Sequence, residues 1–221
     1  MEKLIHKKKG IYYFILALCA FSGLGIEALY VFLLEPAIYG IQSADWDTAQ
    51  NISHWIITCI TWGLITYILV RIAKKRFQFN ITERKSKIKI WQWICMLILV
   101  VISFGVSYWD WNGFKILKEY RYNGLLQFIF QYIYYVFETL LFTLIIVYGQ
   151  KAFDVWFGKV NIPFGGILLA VTWGLVHILT KGSLSAGLLS ALGGIMYGIV
   201  YLLANRDLKK AVPVIFIMFI L

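Results

Sequence analysis

The sequence predicts an all-α fold: a polytopic transmembrane helical bundle of about seven segments, with the N-terminus in the cytoplasm. Three observations support this prediction. The 221 residues are 61% hydrophobic and 14% charged, whereas soluble domains are about 25% charged. The apolar residues fall in blocks of about 20, the length that crosses a hydrocarbon core about 30 Å thick. The basic residues alternate in number from one side of the blocks to the other, as the positive-inside rule requires.

We predict seven apolar segments within a single membrane domain that covers residues 1–221. Their approximate bounds are 11–34, 55–73, 90–109, 125–149, 164–180, 184–204 and 211–221. The first six are long enough to cross the hydrocarbon core. The seventh, AVPVIFIMFIL, reaches only about halfway at about 1.5 Å per residue. It is either a half-helix packed in the bundle or the mark of a truncated chain.

Basic residues between the segments predict which connections share a side. Four lysines precede the first segment, eight basic residues lie within 71–89 after the second, and five more follow the fourth and sixth segments. Seventeen of the 21 Lys and Arg residues therefore share one side, whereas the first connection on the other side, 38–55, has none. The positive-inside rule places the basic side in the cytoplasm.

The net charge of +10 does not indicate nucleic-acid binding, because the basic residues cluster beside the apolar blocks. We predict membrane lipid as a partner, with the basic loop 71–89 on anionic headgroups, and no nucleic acid. Cys19, Cys59 and Cys95 lie within apolar blocks without a CxxC or Cys/His ligand spacing. They are therefore predicted to be small buried hydrophobic residues.

Three ionisable side chains lie inside apolar segments, where an unpaired charge costs several kcal/mol. Glu138 comes 11 residues before Gly149 and His177 comes 13 residues after Phe164, which places both about 16–20 Å from the inner ends of their helices. They can form an interhelical hydrogen bond that only fixes packing, or they can share a proton, bind a metal or activate a water. Glu27 has no obvious matching cation and is predicted to be structural or interfacial.

Further polar residues lie near the predicted level of Glu138 and His177. Gln131 and Tyr135 follow helical spacing along the face of Glu138. Thr172 is close to His177 in sequence, and Ser190 lies at a similar depth on the sixth segment. Together these residues predict a polar pocket within the bundle.

Two motifs lie on consecutive segments: YYVFETLLFTLIIVYGQ, which carries Glu138, and WGLVH, which carries His177. In this order they resemble the CAAX protease and bacteriocin-processing (CPBP, or Abi) family of intramembrane proteases. Members of that family carry EExxxR on one helix, FxxxH on the next, and a later HxxxN or HxxxD. Glu138 and His177 match, whereas Thr139, Thr143 and Trp173 replace the second Glu, the Arg and the Phe.

The resemblance covers about 125–221 and includes the Gly-rich helix, basic turn and final helix of GGIMYGIVYLLANRDLKKAVPVI. The third motif is absent, because apolar residues from Ile215 to Ile217 stand where its histidine should fall. Tyr201 with Asn205, the only similar pair, comes too early.

The resemblance implies an intramembrane endopeptidase of the bacterial plasma membrane that cleaves a peptide or prenylated-protein tail near the cytoplasmic leaflet. Glu138 would be the base on water, and His177 would stabilise the oxyanion or act as a ligand. The family's chemistry proceeds with or without a divalent metal such as zinc, for which Glu138 and His177 are the candidate ligands. A catalytic zinc site usually has three protein ligands.

Two other interpretations stay open. The missing motif residues favour a catalytically inactive family member that acts as a membrane scaffold, a bacteriocin-immunity factor or a partner-binding protein. A small proton-coupled carrier would use Glu138 and His177 as a relay, but the sequence has no inverted repeat of the kind that such carriers contain.

Overall fold

The computed structural model describes residues 2–83 and 86–221. Met1 lies outside the described residues, as do Arg84 and Lys85 of the predicted basic loop. The described residues form nine α-helices: α1 (Glu2–Leu29), α2 (Glu35–Tyr39), α3 (Thr48–Phe77), α4 (Ile90–Asp110), α5 (Lys115–Phe157), α6 (Phe164–Leu169), α7 (Leu175–Lys181), α8 (Leu184–Leu203) and α9 (Leu208–Ile220).

Two π-helical turns join short helices into longer stretches. One, Tyr30–Leu34, joins α1 to α2, and the other, Ala170–Gly174, joins α6 to α7. Six stretches are long and apolar enough to cross a membrane: Lys9–Tyr39, Thr48–Phe77, Ile90–Asp110, Lys115–Phe157, Phe164–Lys181 and Leu184–Leu203. The prediction of an all-α polytopic helical bundle is confirmed.

The predicted seventh segment forms the half-length helix α9. Its 13 residues extend about 20 Å, short of a full crossing. Ala211, Ile215 and Met218 are nevertheless buried, and the helix packs against α4, α5 and α8. The seventh segment therefore packs in the bundle as a half-length helix.

Helix α5 forms the centre of the bundle. Residues 141–148 are each at most 3% exposed, and α5 packs against α1, α3, α6 and α9. A straight helix of its 43 residues would extend about 65 Å, twice the hydrocarbon thickness. Gly124 interrupts it with φ 68° and ψ 174°, a conformation that is essentially restricted to glycine. The long apolar stretch Lys115–Phe157 therefore changes direction at Gly124, next to the predicted segment start at 125.

The connections that were assigned to one side by charge are joined at one end of the bundle. Arg206, after α8, pairs with Asp154 of α5 at 2.6 Å and donates to the carbonyl of Val160 at 2.8 Å. Asn205 donates to the carbonyl of Lys87, which precedes α4, at 3.1 Å. We call this end, with the connections after α3, α5 and α8, the basic end. Asn205 has a structural role there.

Glycines allow α6 and α8 to approach closely. A Cβ added to Gly198 would lie 2.5 Å from the Cα and 2.6 Å from the nitrogen of Gly166. One turn earlier, a Cβ on Gly194 would lie 2.9 Å from the nitrogen of Ala170. This Gly194-to-Gly198 spacing is the small-residue pattern that drives association of membrane helices. The contact fixes α6 and α7, and hence His177, against α8.

We expect Gly198→Ala to destabilise the bundle by about 1–3 kcal/mol, because the added methyl group meets backbone that cannot rotate away. Thermal unfolding of the purified protein in detergent measures the effect. Gly105→Ala is the matched control, since a Cβ there meets nothing within 4 Å and alanine favours helix by about 1 kcal/mol. Equal unfolding midpoints for the two variants would contradict the close α6–α8 packing.

The predicted orientation is tested by labelling single cysteines introduced into a chain whose native cysteines are replaced by alanine. Ala44, between α2 and α3, and Thr82, at the basic end, are both exposed. A membrane-impermeant maleimide applied to intact cells is expected to label Ala44→Cys, and to label Thr82→Cys only after the cells are opened, because the positive-inside rule predicts that the basic end faces the cytoplasm. The reverse result would invert the topology.

Candidate functional site

The bundle encloses a cavity of about 930 Å³, which is within the usual size range of ligand sites. Its polar lining includes Glu27, Lys115, Gln131, Glu138, His177 and Ser190. Four of the residues predicted to form a polar pocket (Gln131, Tyr135, Glu138 and Ser190) therefore do line one cavity, together with His177.

Thr172 does not join the cavity, contrary to the prediction. Its hydroxyl donates to the carbonyl of Leu168 at 2.7 Å, on the same helical stretch. This backbone bond satisfies the hydroxyl locally, as is common for threonine within helices. Proximity in sequence to His177 was therefore misleading, because the two residues point to different faces.

Trp173 stands between Glu138 and His177. Its indole Nε1 donates to Oε1 of Glu138 at 2.9 Å, and its backbone carbonyl lies 2.8 Å from Nδ1 of His177. The two rings are 4.5 Å apart. Glu138 and His177 are thus connected through Trp173, which bonds to both side chains, rather than by the direct contact that the sequence predicts.

These bonds determine which atoms are available for chemistry. A carbonyl only accepts, so Nδ1 of His177 carries a hydrogen, and Nε2 holds the lone pair of the neutral ring. Oε1 of Glu138 has a fixed donor, and the carboxylate is 8% exposed where it lines the cavity. The arrangement offers one acceptor from each residue to a molecule in the cavity.

The π-helical turn Ala170–Gly174 positions Trp173 and His177. A π-turn inserts one residue into a helix and is frequent at functional sites. Gly174 ends it where a Cβ would lie 2.6 Å from the Cα of Ala191. Because α8 holds this turn so closely, the position of the Trp173 ring over Glu138 is fixed by backbone packing.

The cavity reaches the end of the bundle opposite the basic end. Asp110 and Lys181, the last residues of α4 and α7, line it, as does Lys115, the first residue of α5. The Nζ of Lys115 donates to the carbonyl of Phe219 at 2.9 Å and lies 5.3 Å from the ring centre of Tyr135. Lys115 therefore contributes positive charge to the cavity.

Glu119 holds the start of α5 against its membrane-crossing part. Tyr132 and Tyr135 donate to its two carboxylate oxygens at 2.9 and 2.8 Å, and Gln131 donates to Tyr135 at 2.8 Å. Glu119 is 5% exposed. Its place between cationic residues in the sequence suggests a surface position, but the turn at Gly124 folds it back into the bundle.

A second buried group contains Glu27, His54 and Glu35. Nδ1 of His54 lies 2.8 Å from Oε2 of Glu35, and Nε2 lies 3.4 Å from Oε1 of Glu27. Tyr134 donates to the same Glu27 oxygen at 2.8 Å. Glu27 thus has a partner that can become cationic, contrary to the expectation from the sequence.

The sequence does not predict a buried site residue at His54, because residues 38–55 are assigned to the connection between the first two segments. Helix α3 begins earlier than predicted, at Thr48. Asp47 accepts from the Gln50 nitrogen and the Gln50 side chain accepts from the Asp47 nitrogen, each at 2.8 Å. The residues DTAQ have the pattern of a capping box. This pattern indicates that α3 begins before His54 and includes it.

The donor set around Glu138 does not fit a zinc ion. Among the described residues, no three His, Cys, Asp or Glu side chains are grouped so that they could hold a metal. Both the Glu138 Oε1 and the His177 Nδ1 are engaged by Trp173. Two available atoms fall short of the three protein ligands of a catalytic zinc site, so no step is assigned to a metal.

We expect Trp173→Phe to lower the free energy of unfolding by about 1–3 kcal/mol, because the buried Oε1 of Glu138 loses its donor while the aromatic packing is retained. Thermal unfolding in detergent tests this. Trp93→Phe is the control, since Trp93 is 46% exposed on α4. An equally small effect for both variants would show that the Trp173–Glu138 bond contributes nothing to stability.

Comparisons with protein-family models, curated proteins and solved structures returned no match. The resemblance to the CPBP family therefore rests on the motifs that carry Glu138 and His177.

Proposed function

We propose that this protein is an intramembrane hydrolase that cleaves a peptide or prenylated-protein tail with a water activated by Glu138. The observation that carries the proposal is that Glu138 and His177, the two retained family positions, line one cavity and are held by the same residue, Trp173. A carboxylate that faces enclosed water is the usual general base of such chemistry.

Each group has a distinct role in this proposal. Oε1 of Glu138 is fixed by the Trp173 indole, which leaves Oε2 to accept a proton from water. The ammonium group of Lys115 lines the same cavity and supplies positive charge toward an oxyanion, whereas the Nε2 lone pair of His177 accepts a hydrogen bond or a proton from the reacting molecules. Fixed donors and charges stabilise a transition state without reorganising during the reaction.

The end of the bundle that the cavity reaches indicates from which side of the membrane the substrate enters. This changes the leaflet in which we propose that cleavage takes place. The lining residues Asp110, Lys115 and Lys181 lie at the end opposite the basic end. If the basic end faces the cytoplasm of a bacterial cell, the substrate tail enters from the outer half of the plasma membrane. We therefore favour a substrate that crosses or is anchored in that leaflet over one at the cytoplasmic leaflet.

A non-catalytic, partner-binding function is the second candidate. The third motif of the family should place a histidine in this part of α9, but Ile215 there is apolar and fully buried. The absence of this histidine favours the non-catalytic function. In this case the cavity would bind a tail without cleaving it. Glu138 and His177 would then serve packing and recognition, each through its bond to Trp173.

The test reconstitutes the full chain in nanodiscs with quenched fluorescent peptides that end in a farnesylated or an unmodified tail. We expect Glu138→Gln to lower the cleavage rate by about 10³-fold and His177→Asn by about 10²-fold, losses within the range typical of removed acid–base groups. Thr143→Val is the control, because Thr143 is 1% exposed on the same helix and is absent from the cavity lining.

Cleavage by Glu138→Gln at the wild-type rate would exclude Glu138 as the base. Peptide binding without cleavage by the wild-type protein, retained in both polar variants, would support the partner-binding function instead.

A further inference from the structure

We propose that Glu27, His54 and Glu35 form a proton-binding relay through which water in the cavity exchanges protons with a buried store at Glu35. We call these three residues the relay. The proposal goes beyond hydrolysis at Glu138 and holds with or without it.

The first argument is a count of hydrogens. Each nitrogen of His54 faces a carboxylate oxygen, at 2.8 Å for Glu35 and 3.4 Å for Glu27. An ionised carboxylate only accepts, and a neutral imidazole has one N–H and one lone pair. With both carboxylates ionised and the ring neutral, a lone pair would face a carboxylate oxygen. The relay therefore holds one additional proton, on the ring or on a carboxyl group.

The second argument is burial. His54 and Glu35 are each 4% exposed, and the ring of Trp46, which is 9% exposed, lies 5.4 Å from that of His54. Oε1 of Glu35 is buried, with no hydrogen-bond partner among the described residues. An unpaired oxygen costs more when it belongs to a carboxylate than to a neutral acid. This orphan oxygen points to Glu35 as a resting place for the proton.

The third argument is access. Glu27 lines the cavity, and its side chain is 29% exposed, whereas His54 and Glu35 lie behind it. A proton from cavity water reaches Oε1 of Glu27 and passes to Nε2 of His54. The hydrogen on Nδ1 then passes to Oε2 of Glu35. One proton has moved inward, the ring has changed tautomer, and the reverse sequence returns it.

The helix geometry brings the two carboxylates to one face. Glu27 and Glu35 are eight residues apart, which in a regular α-helix places them about 80° apart around the axis. The π-turn Tyr30–Leu34 between them inserts one residue, so the pair is oriented as an i, i+7 pair, about 20° apart. Without this insertion, one imidazole could not easily reach both carboxylates.

Among the described residues, the other titratable groups that face the relay do so through Glu27. Tyr134 of α5 donates to Glu27, and Cys59 of α3, Glu138 of α5 and His177 of α7 are electrostatically coupled to it. From α1 and α2, Glu27 and Glu35 themselves face His54. The relay is thus connected to the side of the cavity that holds Glu138.

The experiment follows the histidine rings by nitrogen-15 NMR of the labelled full chain in nanodiscs, with water as the only probe. The chain has three histidines, His6, His54 and His177, so the His54 signal is assignable by a His54→Gln spectrum. The measured quantities are the tautomer pattern and the exchange rate of the ring hydrogen with water. The His177 signal reports an intact cavity in every variant.

We expect Glu27→Gln to slow exchange at His54 by about 10²-fold, the typical value of a lost acid–base step. The new amide would donate to Nε2, so the ring should become a single neutral tautomer with its hydrogen on Nδ1. Glu35→Gln should remove the shared Nδ1 hydrogen while exchange through Glu27 continues. Glu119→Gln, which removes another buried carboxylate (5% exposed), should change neither quantity.

Unchanged exchange and tautomer pattern in Glu27→Gln would overturn the relay, because His54 would then be a static structural bond. A shift of the His54 signal on adding zinc or sodium salts at constant pH would overturn it in favour of a cation site. If Glu27→Gln does not fold, an unchanged Nδ1 signal in Glu35→Gln overturns it equally. No substrate is used, so the result is independent of whether Glu138 supports hydrolysis.

Discussion

The need to provide hydrogen-bond donors for carboxylates inside an apolar bundle determines much of this structure. An unsatisfied polar group in hydrocarbon costs several kcal/mol, yet Glu27, Glu119 and Glu138 all lie within membrane-crossing stretches. Each has a specific donor: Tyr134 for Glu27, two tyrosines for Glu119 and Trp173 for Glu138. These donors come from α5 and from the π-helical turn between α6 and α7, so the polar bonds connect α1 to α5 and α5 to the α6–α7 stretch.

Each of the two π-helical turns brings polar side chains together on one side of its helical stretch. A regular helix repeats about every 3.6 residues, so residues eight apart drift off a common face. The turn Tyr30–Leu34 returns Glu35 to the face of Glu27, and the turn Ala170–Gly174 presents Trp173 and His177 together. Such turns lower local helix regularity. Their occurrence at both carboxylate groups, among the residues that the structure describes, links irregular backbone to the polar site.

Much of the fold was predictable because hydrophobic blocks and basic residues specify helix number and order. The half-length of α9 and the common cavity of Glu138 and Ser190 both agree with a rise of about 1.5 Å per residue. Rotation around each helix was not predictable, because one inserted residue in a π-turn changes it by about 100°. The roles of Trp173 and His54 were therefore missed, although DTAQ did carry the capping signal over His54.

Glu138 and Glu27 line the same cavity but have different hydrogen-bond partners. This difference relates the proposed hydrolysis at Glu138 to the proposed proton relay at Glu27. Glu138 is bonded by an indole N–H, a donor that does not exchange its hydrogen with the carboxylate. Glu27 is bonded by a phenol and an imidazole, and the imidazole can accept, donate and release a proton. A base and a proton donor at one cavity suit the cleavage of an amide, since a proton taken from water must be delivered to the departing amine.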